Sequence, residues 1–157
     1  MDRLKVAMVG AGRRAAGSWL PTIDVMSDQL QLTAVCNTGA ERGEEQAAKY
    51  AVPWHTDVER MLDDDRPDFG AIIVNPPQTH IVAQAALARG VSVIMETPVA
   101  SKVEDAEALI ALADENGAHI EGAENLYRAP SERIKREMIL AGVFGRVLRG
   151  HNNSRTH

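Results

Sequence analysis

The chain carries a single cysteine, Cys36, in 157 residues, which excludes an internal disulfide framework. Cys36 lies in an apolar run and reads as a small core residue rather than a nucleophile. No apolar run approaches the ~18 residues that a membrane span needs. Asp2 and Arg3 precede only a short apolar stretch, so no signal peptide is visible and the cytoplasm is the expected compartment. Positive charge is not in excess. Seventeen Lys and Arg against 22 Asp and Glu leave a net charge of −5, which argues against nucleic acid or an anionic membrane as the main partner. His55, His119, His151 and His157 stand at no metal-ligand spacing from Cys36 or the acids, and no zinc site is expected. Internal repeats, low-complexity segments and long linkers are absent too. What is present is an ordinary globular composition, 45% apolar and 25% charged. A chain of this length can bury roughly 70% of its unfolded surface.

The most informative stretch opens the chain. Leu4–Val9 is an apolar run that reads as a buried strand, and it empties into Gly10-x-Gly12-x-x-Ala15 ahead of a helical pattern. Strand, glycine turn and helix in that order make a dinucleotide-binding fingerprint. Gly10 allows the tight turn, Gly12 leaves the backbone open to a pyrophosphate, and Ala15 lets the helix pack close on the sheet. The phosphates then meet free N–H groups at the positive end of the helix dipole.

Strands and helices alternate beyond that point. The pattern predicts a helix from Arg14 to Ser27, a strand over Gln31–Asn37, a helix over Glu41–Tyr50 and a short strand at Trp54-His55. Thr56-x-x-Glu59 reads as a capping box opening a helix that ends at Leu62, with the acidic run Asp63-Asp64-Asp65 as a solvated turn. Strands follow at Phe69–Val74, Val91–Met95 and His119–Ala123. Helices are predicted at Thr79–Arg89, from a second capping box at Ser101-x-x-Glu104 to Asn116, and at Ser131–Ala141. Arg146–Asn153 looks like one more strand. This is the signature of an α/β, doubly wound, mostly parallel Rossmann sheet with helices on both faces, most simply in the order 3-2-1-4-5-6.

Ligands of such sheets bind outside the carboxyl ends of the strands. The residues collected there are the loop Gly10, Ala11, Gly12, Arg13 and Arg14, then Asn37 and Thr38, then Asn75, Pro76 and Pro77 with His80 a turn on, then Glu96 and Thr97, and last Asn125 and Arg128. His80, at a helix start, reads equally as a packing and capping residue. Asn125 and Arg128 read equally as ties within a surface loop.

Five motifs make the chain resemble the Gfo/Idh/MocA oxidoreductases. They are Val9-Gly10-Ala11-Gly12, Asn75-Pro76-Pro77-x-x-His80, Glu96-x-Pro98-x-Ala100, Glu124-Asn125-x-Tyr127-Arg128-x-Pro130 and Gly142-x-x-Gly145-x-Val147. The resemblance implies an NAD or NADP cofactor and a small sugar- or cyclitol-like alcohol or ketone as hydride partner. It implies a homo-oligomer for the complete protein. It places Gly10 and Gly12 on the pyrophosphate, Asn75, Pro76 and Pro77 along the cleft, Glu96 near the nicotinamide ribose, and Asn125 and Arg128 near the nicotinamide and the substrate entrance. It also implies a Rossmann domain over residues 1–145 and the start of an α+β substrate domain, with an open antiparallel sheet, over 146–157. On that basis the chain is expected to be a fragment that binds cofactor without turnover.

Two positions depart from the family pattern. Thr97 stands where the family usually has a lysine, so the ammonium that assists proton transfer is missing and the catalytic residues stay unassigned. Asn37 stands where NAD-preferring members commonly carry an acid. With Thr38 and Arg42 beside it, Asn37 leaves room for the 2′-phosphate of NADP. Three functions are compatible with this: the cofactor half of a dehydrogenase, a redox-neutral glycosidase with a tightly held dinucleotide, and a non-catalytic dinucleotide sensor.

Overall fold

The computed structural model describes residues 2–151. Those residues fall into two compact units that divide between Ala123 and Glu124.

The first unit is a six-stranded sheet, β1 (Leu4–Val9), β2 (Leu30–Cys36), β3 (Trp54–His55), β4 (Phe69–Ile72), β5 (Ser92–Met95) and β6 (Ile120–Gly122). Every neighbouring pair is parallel and the order is β3-β2-β1-β4-β5-β6, as the alternating pattern predicts. β1 shows why its apolar run is continuous. Successive side chains leave a strand on opposite faces. Val6 and Met8 therefore enter one core with Leu20, Ile23 and Ala47, while Ala7 and Val9 enter another with Met61, Leu62 and Leu87. A central strand covered on both sides has no polar face to show.

α1 (Leu20–Val25) and α2 (Ala40–Lys49) supply the first core. α3 (Val58–Asp65), α4 (Pro76–Leu87) and α5 (Val103–Asn116) supply the second. The register of β1 against β2 slips between Val6 and Ala7, which skips Thr33. The skipped Thr33 hydroxyl donates to the Val6 carbonyl at 3.3 Å. After the slip Val9 pairs with Cys36, and the Gly10 N–H donates to the Cys36 carbonyl at 2.8 Å.

Several local expectations are corrected. The first helix is not one α-helix from Arg14 to Ser27: residues 15–19 form a π turn, and α1 ends at Val25. The cap of α3 is Asp57 rather than Thr56, because the extended Asp57 backbone lets its carboxylate accept from the Arg60 N–H at 2.9 Å. Asp63, Asp64 and Asp65 are not a turn but the last turn of α3. Arg89 offsets their repulsion, donating to Asp63 at 2.8 Å and to Glu59 at 2.9 Å.

α4 starts at Pro76 rather than Thr79, since a proline at the first helical position gives up only an N–H that had no partner. α5 starts after Lys102 with no side-chain cap, so Ser101 does not close a capping box. Asn116-Gly117 does end it, Gly117 taking φ +64°.

The second unit holds α6 (Asn125–Arg128), which the sequence reading leaves as loop, and α7 (Pro130–Leu140). α6 forms because the Glu124 carboxylate caps it, accepting from the Leu126 N–H at 2.9 Å. Residues 146–151 form no strand, and Asn152 and Asn153 lie outside the described residues.

Candidate functional site

β1, β2, β4 and β5 end together, and the loops that follow them enclose a cleft of about 1020 Å³. The turn out of β1 is fixed by Gly10. At φ +100° a side chain there is strained, and a Cβ would stand 2.1 Å from the Ile73 carbonyl oxygen. Gly12 is the opposite case. Nothing lies within 4 Å of where its Cβ would be, so its backbone faces open space in the cleft. That open approach, in front of the first helical turn and its unpaired N–H groups, is the space a pyrophosphate requires. The chain fits a dinucleotide there.

Asn37 lines the cleft but its side chain is already engaged. Oδ1 accepts from the Ala11 N–H at 3.0 Å, and Nδ2 donates to the Gly39 carbonyl at 2.7 Å. The Asn37 carbonyl accepts from Trp54 Nε1 at 3.1 Å. Trp54 in turn lies against Gly43, where a Cβ would come within 2.2 Å of the indole nitrogen. Thr38 and Arg42 stand beside Asn37 in the wall. Neither Arg13 nor Arg42 has an acid partner among the described residues, so both guanidiniums are available to an anion.

Across the cleft, Glu96 follows β5 and anchors to the sheet through its N–H, which donates to the Ile72 carbonyl at 3.2 Å. Its Oε1 accepts from Arg14 Nε at 2.6 Å and from Trp19 Nε1 at 2.8 Å. Burial pushes the Glu96 carboxyl up, but the Trp19 and Arg14 hydrogen bonds and the Arg14 charge outweigh it and hold it below its ordinary value. Glu96 is therefore an anion and an acceptor near neutral pH. Trp19 is a site residue that sequence reasoning misses. Neighbours on one face of an α-helix are three or four apart, and Arg14 and Trp19 share a face only because the π turn closes from the Leu20 N–H to the Ala15 carbonyl.

Gly10, Gly12, Arg13, Arg14, Asn37, Thr38, Arg42, Asn75, Pro76, Glu96 and Thr97 all line this cleft, with Gln78 added. Ala11 contributes through its N–H and is otherwise buried. Pro77 is exposed on α4 and outside the lining. His80 turns away, its Nε2 4.0 Å from Asp105 on α5. Asn125 opens α6 in the second unit. Cys36 is buried at the base, and burial together with the Asp57 charge pushes its thiol up to about 11. No cluster of three or more metal-ligating side chains occurs among the described residues. No described helix is long and apolar enough to cross a membrane.

Comparison with known proteins agrees with this geometry. A glycosyl hydrolase family 109 protein of Saccharopolyspora erythraea is 28% identical over 161 residues, covering 95% of this chain and 34% of its own length. A 1-carboxy-3-chloro-3,4-dihydroxycyclohexa-1,5-diene dehydrogenase of Comamonas testosteroni is 32% identical over 148 residues, covering 92% and 36%. Among solved structures, the WlbA dehydrogenase of Bordetella pertussis, in complex with NADH and UDP-GlcNAcA, superposes with a TM-score of 0.87 at 21% identity, covering 92% of this chain and 44% of that one. The chain thus spans between a third and a half of the length of these relatives. The family model described as an oxidoreductase family with an NAD-binding Rossmann fold matches residues 4–121. On the match over residues 4–121, and on a six-stranded parallel sheet whose glycine loop faces an open cleft, the chain belongs to the Gfo/Idh/MocA oxidoreductases.

Proposed function

We propose that this chain binds NAD or NADP in the cleft above β1, β4 and β5 as the cofactor half of an oxidoreductase acting on a sugar- or cyclitol-like alcohol or ketone. One observation carries the reading. The open backbone of Gly12, the free guanidiniums of Arg13 and Arg42, and the anionic Glu96 line one continuous cleft at the strand ends. Gly12 and the first helical turn bind the pyrophosphate. Asn75, at the head of α4, and Pro76 form the wall opposite. Glu96 accepts from ribose hydroxyls on the far side. When bound, the nicotinamide supplies a carbon that gives or takes a hydride.

The adenosine end favours NADP. The Asn37 amide is spent on Ala11 and Gly39 and brings no charge, which leaves Thr38 and Arg42 to receive a 2′-phosphate. Titration of the chain with NADH and NADPH by calorimetry tests both statements. Binding of either supports the cofactor assignment, and binding of neither overturns it. NADH more than about tenfold tighter than NADPH, a gap of ~1.4 kcal/mol, overturns the preference.

A redox-neutral glycosidase with a retained cofactor is the second reading, and Thr97 favours it. The position beside Glu96 offers a hydroxyl instead of an ammonium, and a family 109 glycosyl hydrolase is among the relatives. Dinucleotide that stays with the protein through purification, with glycoside cleaved and no net NADH formed, supports this reading. Stoichiometric NADH production from a polyol rules it out.

A further inference from the structure

We infer that Trp19 is the positioning residue of Glu96, and that the π turn at 15–19 is what brings it there. The inference rests on the cofactor reading above. In a doubly wound sheet the end of β2 receives the adenosine ribose and the first helix receives the pyrophosphate, so the end of β5 faces the second nucleotide. Glu96 stands at that end, and its carboxylate is the acceptor offered to the ribose hydroxyls there.

Two donors hold it, and they are not equivalent. Arg14 is charged and its side chain is 57% exposed. It sits at the glycine loop, where an arriving pyrophosphate competes for its guanidinium. Trp19 is half-buried, packed against the core of β1, α1 and α2, and carries one N–H with no other acceptor. An indole N–H orients the carboxylate without cancelling its charge, and no phosphate draws it away. Trp19 therefore keeps Glu96 in place when Arg14 turns to the cofactor. A regular α-helix from Gly12 onward would point residue 19 elsewhere, and Glu96 would lose its uncharged donor.

The test separates this role from general packing. Trp19→Phe keeps the apolar ring and deletes the N–H. The chain and this variant are titrated with NADH, NADPH and ADP, which has the pyrophosphate but no nicotinamide ribose. The variant should bind the tighter of the two reduced dinucleotides about three- to tenfold more weakly, the worth of one hydrogen bond, and should bind ADP within about twofold of the parent. Glu96→Gln should weaken the same dinucleotide, and adding Trp19→Phe to it should weaken binding no further, since Trp19 acts through Glu96. The pH below which affinity falls should rise in Trp19→Phe, with Arg14 the one charged side chain still bonded to the carboxylate. Equal losses for ADP and dinucleotide, full additivity of the two substitutions, or an unmoved pH profile overturns the inference. Failure of the parent chain to bind any of the three ligands overturns the cofactor reading instead.

Discussion

The Ala11 N–H donates to Asn37 Oδ1 at 3.0 Å, so the residue that follows β2 holds the glycine loop that follows β1. The same side chain ties down its own loop through Gly39 at 2.7 Å. Asn37→Ala leaves the amide of buried Ala11 without its acceptor and should cost about 1–2 kcal/mol in chemical denaturation. Asn37→Asp keeps the acceptor but adds a negative charge, and should lower affinity for NADPH well beyond any loss for NADH.

The two glycines of the loop should respond oppositely to alanine. Gly10→Ala sets a methyl against the Ile73 carbonyl at φ +100° and should destabilise the fold by more than ~2 kcal/mol. Gly12→Ala meets no protein atom and should change stability by less than ~0.5 kcal/mol. It should nonetheless weaken dinucleotide binding at least about tenfold, because the methyl occupies the phosphate's approach. Thermal denaturation and calorimetric titration of both variants separate the two effects.

Cys36 should be inert while the protein is folded. Its thiol is buried and its pKa is raised to about 11, so at pH 8 almost none is thiolate. Alkylation followed by mass spectrometry should show no label in buffer and full label in denaturant. Rapid labelling of the folded chain would contradict the burial described above.

Acid should loosen the junction of α3 and α4. The Asp63 carboxyl is held below its ordinary value chiefly by the hydrogen bond from Arg89. A carboxyl lowered by folding adds stability above its unfolded pKa, about 4, and that contribution disappears as pH falls through the lower folded value. Melting temperatures of the parent chain should decline below about pH 4. Arg89→Leu should show a shallower decline over the same range, with a lower plateau near neutrality.

The sheet order was readable because β1, β2, β4 and β5 are short apolar runs between helical patterns, and the core needs nothing subtler. Gly10 and Gly12 are readable because backbone constraints are written at single positions, whereas Pro76 and Pro77 read as loop although they open α4. What sequence could not show depends on distant partners. Asp63, Asp64 and Asp65 look like a turn until Arg89 comes 26 residues later to offset their charge. His80 looks like a cleft residue until α5 brings Asp105 to its other side. Trp19 and Glu96 are 77 residues apart, and nothing in hydrophobic periodicity distinguishes a π turn from an α turn. At the start of α3 the sequence offers two good caps, Thr56 and Asp57, and only the backbone angle at Asp57 decides between them.

The chain has two tryptophans, and each indole N–H is bonded at a different end of the cleft, Trp19 to Glu96 and Trp54 to Asn37. On the cofactor placement proposed above, the molecule carries its own pair of optical reporters, one beside each nucleotide. A reduced nicotinamide absorbs where tryptophan emits and energy transfer reaches across the whole cleft, so its arrival should quench both indoles, whereas an adenine nucleotide alone, which does not absorb there, should perturb only Trp54. Replacing either indole by phenylalanine leaves a single-colour probe, and the order in which the two halves of the cofactor engage becomes a stopped-flow measurement without any attached dye.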